Sequence, residues 1–272
     1  MDNKRILYVS QEIHPYLPEN EISKASLELP KKMNELGHEV RVFMPRYGVI
    51  NERRHQLHEV IRLSGINIIV NDMDQPLIIK VASVPSARMQ VYFIDNEEYF
   101  KRKAIFLDED GNFFSDNDQR AIFFCRGVIE TVTKLGWAPD IIHCHGWLAS
   151  FMPMYLKKFH YDDPLFADSK IVFSAYGARE QAMPDTLVEN LKFDGFDPED
   201  IAKYENASIE SVNRAAMTYS HGTIIASENA DKETKEFAEN NVDNYLDLTK
   251  AEDATQEIYR LYEQVSMQET IA

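Results

Sequence analysis

The chain has 272 residues, 44% of them hydrophobic, and a formal net charge of -16, enough for one large α/β domain or two small ones. So acidic a balance opposes a general nucleic-acid or anionic-membrane role, because phosphate binding needs a basic footprint, although it leaves room for a local anion site. No apolar leader follows Met1-Asp2-Asn3-Lys4-Arg5 and no apolar run is long enough to cross a bilayer, so neither a secretory signal nor a membrane span is expected, and a cytoplasmic location is the default.

In chain order, Ile6-Leu7-Tyr8-Val9 predicts a strand near residues 5–9. Behind a polar loop, Ile22, Ala25, Leu29, Met33 and Leu36 recur at helical spacing, with Gly37 as the stop and Pro30 as a kink or break. Residues 39–44 (EVRVFM) read as a second strand, closing a β-α-β unit of Rossmann character. The segments around 66–70, 77–84 and 89–94 are short and β-rich, separated by Asn71, Asp72, Asp74, Pro85 and Ser86, which predicts a meander or a pair of hairpins over 57–95. After a loop at 108–112, Ile122, Cys125, Ile129, Val132 and Leu135 form one helix face that Asp118 caps and Gly136 ends.

A strand near 140–144 follows, then a helix from about Trp147, interrupted at Pro153, then a strand at 171–174. Residues 177–207 are polar and carry Pro184, Gly195 and Pro198, which suits a long excursion with short helices. Ile209, Val212, Ala216 and Tyr219 give another helix, and 222–226 the last strand. Beyond it, the acidic run 231–239 reads as a solvated helix face, and residues 249–252 as a capping box for a helix carrying Ala254, Ile258, Leu261, Tyr262 and Val265. The expected fold is a doubly wound, mostly parallel Rossmann-like α/β sheet with a β-rich insertion, one domain over 1–230 and a charged helical tail over 231–272 packing on it.

Residues 139–147 (PDIIHCHGW) concentrate the chemistry. In open α/β sheets the ligand crevice lies outside the carboxyl ends of the strands, where His143, His145 and Trp147 would stand. The alternative is that the histidines are hydrogen-bonded strand residues and Trp147 the first core residue of the next helix. His143, Cys144 and His145 are all zinc-type ligands, but alternate strand residues face opposite sides, so only the histidines share a face and no metal is expected. Cys125 and Cys144 lie in apolar patterns and read as buried thiols.

The stretch resembles the P-D-[IV]-[IV]-H-x-H-D-W signature of bacterial glycogen synthases and plant starch synthases, with Gly146 in the aspartate's place. Residues 4–15 (KRILYVSQEIHP) resemble that family's opening strand and loop, and 29–48 (LPKKMNELGHEVRVFMPRYG) its LPKAL..LGHDVRVVLPRY element. Residues 95–100 (DNEEYF) are similar to DNPEYF, 116–124 (DNDQRAIFF) to DN..RFAFF, and 215–227 (AAMTYSHGTIIAS) to KAGI.YAD.VTTVS. The resemblance covers roughly residues 4–230, and ordered matches at consistent spacing are more specific than any single motif.

The resemblance implies one half of a two-domain glycosyltransferase of the B-type fold. The family's reaction passes glucose from ADP-glucose to the non-reducing end of an α-1,4-glucan in the cleft between the domains, with no cofactor, and the second domain holds most of the donor. The tail after residue 230 is too short for that domain, so in a split-enzyme reading a second polypeptide would supply the donor site. The family's K-T-G-G-L-A-D-V loop falls on Pro18-Glu19-Asn20-Glu21-Ile22-Ser23-Lys24-Ala25, which lacks the lysine and both glycines that let a backbone approach phosphate, while Lys24 adds one positive charge. Its T-[IV]-H-N-L element falls on Ser174-Ala175-Tyr176-Gly177-Ala178. The sugar-binding or cleft-lining candidates are therefore Glu12, His14, Lys24, His143, His145, Trp147, Tyr176 and Arg179, with no catalytic residue assigned. Three functions follow from this reading: a glucosyltransferase acting alone, one half of a split enzyme, or a non-catalytic regulatory relative that binds α-glucan or maltooligosaccharide weakly.

Overall fold

The computed structural model describes residues 3–177, 181–205 and 207–268. Strand β1 (Arg5–Ser10), helix α1 (Glu21–Glu35) and strand β2 (Glu39–Pro45) form the first β-α-β unit. Helix α1 starts with a capping box, in which Asn20 Oδ1 accepts from Ser23 N at 2.8 Å and Ser23 Oγ accepts from Asn20 N at 2.9 Å. It runs unbroken through Pro30, because Leu29, Pro30 and Met33 are all buried and tertiary packing outweighs the lost backbone bond. Its inner face is more polar than the spacing predicts: Ser23 and Ser26 are buried, and Leu36 is exposed.

Helix α2 (Glu52–His55) leads to β3 (His58–Glu59), β4 (Ile66–Val70), β5 (Met73–Val84) and β6 (Met89–Asp95), followed by α3 (Glu97–Phe100). Asn71 and Asp72, both at positive φ, turn the β4-β5 hairpin. β5 pairs antiparallel with β6, but β6 pairs parallel with β2, so the β-rich region widens the main sheet and ends within it.

Helix α4 (Asn117–Leu135) has Asp116, not Asp118, at its N-cap position, and the Asp116 carboxylate accepts from Arg102 and makes no capping bond. Asp118 instead turns inward and accepts from Thr186 Oγ1 and Asn190 Nδ2, both at 2.8 Å, tying α4 to the excursion after β8. Then come β7 (Ile141–His145), α5 (Met152–Phe159), β8 (Lys170–Ala175), α6 (Leu187–Phe193), α7 (Pro198–Ile201), α8 (Ile209–Thr218) and β9 (Gly222–Ile225). Pro153 lies in the first turn of α5, where a missing N–H costs nothing, so it opens that helix and does not interrupt it. Helix α9 (Lys232–Asn241), β10 (Tyr245–Asp247) and α10 (Ala254–Met267) complete the chain; Asp253, not a box at 249–252, caps α10.

The sheet runs β10-β9-β8-β7-β1-β2-β6-β5-β3, parallel from β10 to β6, with β4 paired to β5. The order reverses at β1, which has β7 on one side and β2 on the other. That makes the carboxyl ends of β1 and β7 the topological switch point of a doubly wound sheet. Across it, Ser10 of β1, His145 of β7 and Ser174 of β8 lie in register. Strands β1, β7 and β8 are buried almost throughout, with α10 contributing Tyr262, Ile258, Leu261 and Val265 to the core. Cys125 and Cys144 are buried free thiols. Among the described residues, no helix is long and apolar enough to cross a membrane.

Candidate functional site

A cavity of about 440 Å³ opens at the switch point. Gln11 and Glu12 enter it from the exit of β1, Gly146 and Trp147 from β7, and Tyr176 and Gly177 from β8. Asn20, Glu21 and Ile22 bring the first turn of α1 to one side; Phe106, Leu107, Gly111 and Phe113 supply the opposite wall, and Gln181, Ile209 and Asn213 complete the lining. A volume of this size suits a small ligand.

Trp147 stands in a short 3-10 turn and is 5% exposed, its ring against Phe106 and Phe113 at centroid distances of 4.9 and 5.3 Å. It is thus both a packed residue and a wall of the cavity. Tyr176 is also mostly buried, and its hydroxyl lies 2.9 Å from His145 Nδ1. His145 does not reach the cavity. It lies behind Tyr176, 1% exposed, with its Nε2 lacking a hydrogen-bond partner among the described residues. Burial lowers its pKa to about 3, so the ring is neutral at physiological pH.

His143 is deeper still. The two imidazoles are 4.0 Å apart on one face of β7, as strand alternation requires. His143 Nδ1 meets the Tyr262 hydroxyl of α10 at 2.6 Å and Nε2 meets Ser174 Oγ at 2.7 Å. Burial first, then the neighbouring His145, pushes its pKa well below the usual histidine range. Tyr262 donates on to Tyr8 at 3.2 Å. Hydrogen bonds thus join α10 to Tyr8 and Ser174 through Tyr262 and His143, and a separate bond joins His145 to Tyr176 in the cavity lining. Among the described residues, no three His, Cys, Asp or Glu side chains are grouped to hold a metal ion.

The acidic groups are held in place. Glu12 Oε1 accepts from Gln11 Nε2 at 3.1 Å and Oε2 from Asn20 Nδ2 at 2.6 Å. Glu21 accepts from Ser227 Oγ at 2.6 Å, which sets a carboxylate on the first turn of α1. A helix N-terminus attracts anions; here the protein's own carboxylate occupies that position. None of the described lining residues is a lysine, arginine or histidine. Lys24 points away, its ammonium 3.7 Å from Glu19 and its side chain 66% exposed. His14 is outside the lining, its backbone N–H bonded to Ser23 O at 3.0 Å. Arg179 lies outside the described residues.

Two glycines shape the floor. Gly146 has φ +80°, and a Cβ there would fall 2.4 Å from Gln11 Oε1. At Gly177 an added Cβ would fall 2.4 Å from Asn229 Cβ and 2.6 Å from its carbonyl carbon and oxygen. Gln11, Phe106, Phe113, Gln181 and Asn213 are lining residues that the sequence reading missed. Gln11, directly after β1, carried a positional signal; the others come from separate loops and helices whose approach no local pattern announces.

A profile of the starch synthase catalytic domain matches residues 5–247. The glycogen synthase of Chlorobium luteolum is 39% identical over 213 residues, covering 78% of this chain and 42% of that protein. That of Chlorobium limicola is 35% identical over 225 residues, covering 82% and 45%. The solved catalytic domain of starch synthase IV from Arabidopsis thaliana, bound to ADP and acarbose, shares the fold with a TM-score of 0.66 at 16% identity, covering 82% of this chain and 45% of that one. The chain spans less than half the length of these curated relatives.

Proposed function

Since the chain belongs to the starch synthase catalytic domain family, we propose that it is an acceptor-side α-glucan-binding protein, whose switch-point cavity takes a maltooligosaccharide and does not transfer glucose from ADP-glucose unaided. One observation carries the reading: aromatic rings, amides and carboxylates line the cavity, and no described cation does. A nucleotide diphosphate needs positive charge or free backbone amides, and Glu21 opposes it where α1 would otherwise attract it. A neutral sugar needs apolar edges for its C–H faces and paired amide and carboxylate groups for its hydroxyls, which Trp147, Phe106, Gln11, Glu12 and Asn213 supply.

The glycines at 146 and 177 support the same reading. Both stand where the family's motifs carry polar side chains, and neighbours now fill the space such side chains need. Transfer within the family's reaction then depends on a donor-binding domain, which a second polypeptide could contribute. The test is a titration with maltoheptaose followed by tryptophan fluorescence, beside an assay of labelled glucose incorporation from ADP-glucose into glycogen. Saturable binding without incorporation is expected. Incorporation by this chain alone overturns the non-catalytic reading, and absence of binding overturns the glucan site.

A further inference from the structure

A second cavity of about 440 Å³ lies away from the switch point, between α5, α8 and the α9-β10 connection. Its lining includes Lys157, Thr218, Ser220, His221, Asn241 and Asp243. Hydrogen-bond accounting around His221 bears on the protonation of Lys157. The backbone N–H of Ile171 donates to His221 Nδ1 at 2.8 Å, so that nitrogen carries a lone pair and the ring's proton sits on Nε2. The ring is clasped from the other side as well, since His221 N donates to Ile171 O at 2.8 Å. Nε2 lies 2.9 Å from Lys157 Nζ. An N–H facing an ammonium would be a donor against a donor; the contact is a hydrogen bond only when Nζ is an uncharged amine that accepts.

The surroundings agree. Lys157 is drawn below the usual lysine range by burial and then by the like charge of Lys170 on β8. Among the described lining, Asp243 is the one carboxylate, facing in from the α9-β10 connection, while α8 presents hydroxyls and the end of α10 presents Gln268. The adjacent Lys158 is directed elsewhere, paired with Asp200 at 2.6 Å.

We propose that Lys157 is a neutral nucleophilic amine and that this cavity captures small polar aldehydes covalently as an imine. On attack, the Nζ lone pair turns from His221 Nε2–H to the carbonyl carbon and forms the C–N bond. The freed Nε2–H hydrogen-bonds the carbinolamine oxygen, which takes up the two protons that leave Nζ and departs as water, giving C=N with no oxidant or reductant consumed. Thr218 and Ser220 donate their hydroxyl protons to Arg214 O and Ala216 O, and Asn241 Nδ2 donates to Phe237 O, which leaves their oxygens as acceptors for hydroxyls of the bound compound.

The test uses the intact, unsubstituted protein, so no variant has to fold. D-Glyceraldehyde with sodium cyanoborohydride traps imines as stable secondary amines, and peptide mass mapping gives each lysine's rate between pH 6.5 and 10.5. At pH 7.5 Lys157 is expected to react at least about tenfold faster than the exposed Lys232, because the uncharged amine is the nucleophile and an ordinary lysine is almost wholly ammonium at that pH. Its rate should level off before the bulk lysines begin to rise. A Lys157 rate equal to or below that of Lys232, or one that climbs with the bulk lysines toward pH 10.5, overturns the proposal.

Discussion

The Tyr176 hydroxyl and His145 Nδ1 are 2.9 Å apart, and this is the only hydrogen bond that His145's ring makes among the described residues. The phenol is therefore spent on the fold and is not free for a ligand. Tyr176→Phe is expected to strand both ring nitrogens in the interior at a cost of about 1–3 kcal/mol, read as a lower urea midpoint at pH 7.5. Maltoheptaose affinity should change by less than about threefold, since the aromatic wall remains. A large loss of affinity with unchanged stability would show that the hydroxyl serves the sugar.

Acid should weaken the fold through its buried imidazoles. Burial foremost holds His143 well below the usual range and His145 and His221 at about 3. Each folded pKa lies below the unfolded value, so between pH 3 and 6.5 the unfolded chain binds more protons and stability rises with pH. It is complete above about 6.5 and declines on acidification by roughly 1.4 kcal/mol per pH unit per histidine. Urea midpoints should fall between pH 6.5 and 5, above the carboxylate range. A midpoint unchanged down to pH 5 would contradict this.

The strand skeleton was legible because fully buried parallel strands such as Ile6 to Val9 and Ile141 to Ile142 are apolar runs between polar breaks, and their exits locate the switch point. Signals that depend on partners distant in sequence misled. Asp118 has the composition of a cap but bonds Thr186 and Asn190; Pro30 reads as a breaker but is covered by packing. Trp147 and Tyr176 were recognisable as lining residues from their place after β7 and β8. The burial of His145 behind Tyr176 was not, since alternation gives a face and not a depth. Nor does any local feature reveal that Phe106 and Phe113, from a loop before α4, complete the wall.

Restoring the family's residues at the two glycines should not restore activity. Gly177→Asn drives a Cβ into the backbone of Asn229, an overpacking expected to cost about 1–3 kcal/mol. Gly146→Asp places a side chain at φ +80° and ψ 170°, a region essentially confined to glycine, roughly 1–3 kcal/mol from the backbone alone, and also displaces Gln11. Both variants are expected to unfold at lower urea and to incorporate no labelled glucose from ADP-glucose. Incorporation by Gly146→Asp would mean that a single carboxylate was the missing element and that the cavity still accepts the donor.

The aromatic wall gives the sharpest separation between packing and binding. Trp147 is against Phe106 and Phe113, whereas Trp137 is remote from the cavity, its Nε1 donating to Glu39 at 2.7 Å and its ring under Arg41. A maltoheptaose-dependent fluorescence change should therefore survive in Trp137→Phe and vanish in Trp147→Phe, which keeps an aromatic wall and avoids the roughly 3–5 kcal/mol that Trp147→Ala would forfeit. Calorimetric titration of Trp147→Phe, which needs no tryptophan reporter, should show affinity weakened several-fold because the smaller ring withdraws from the sugar's C–H edge. Equal calorimetric affinity in Trp147→Phe and the unsubstituted protein would reduce Trp147 to a core residue and move the glucan contact to the amide and carboxylate side of the cavity.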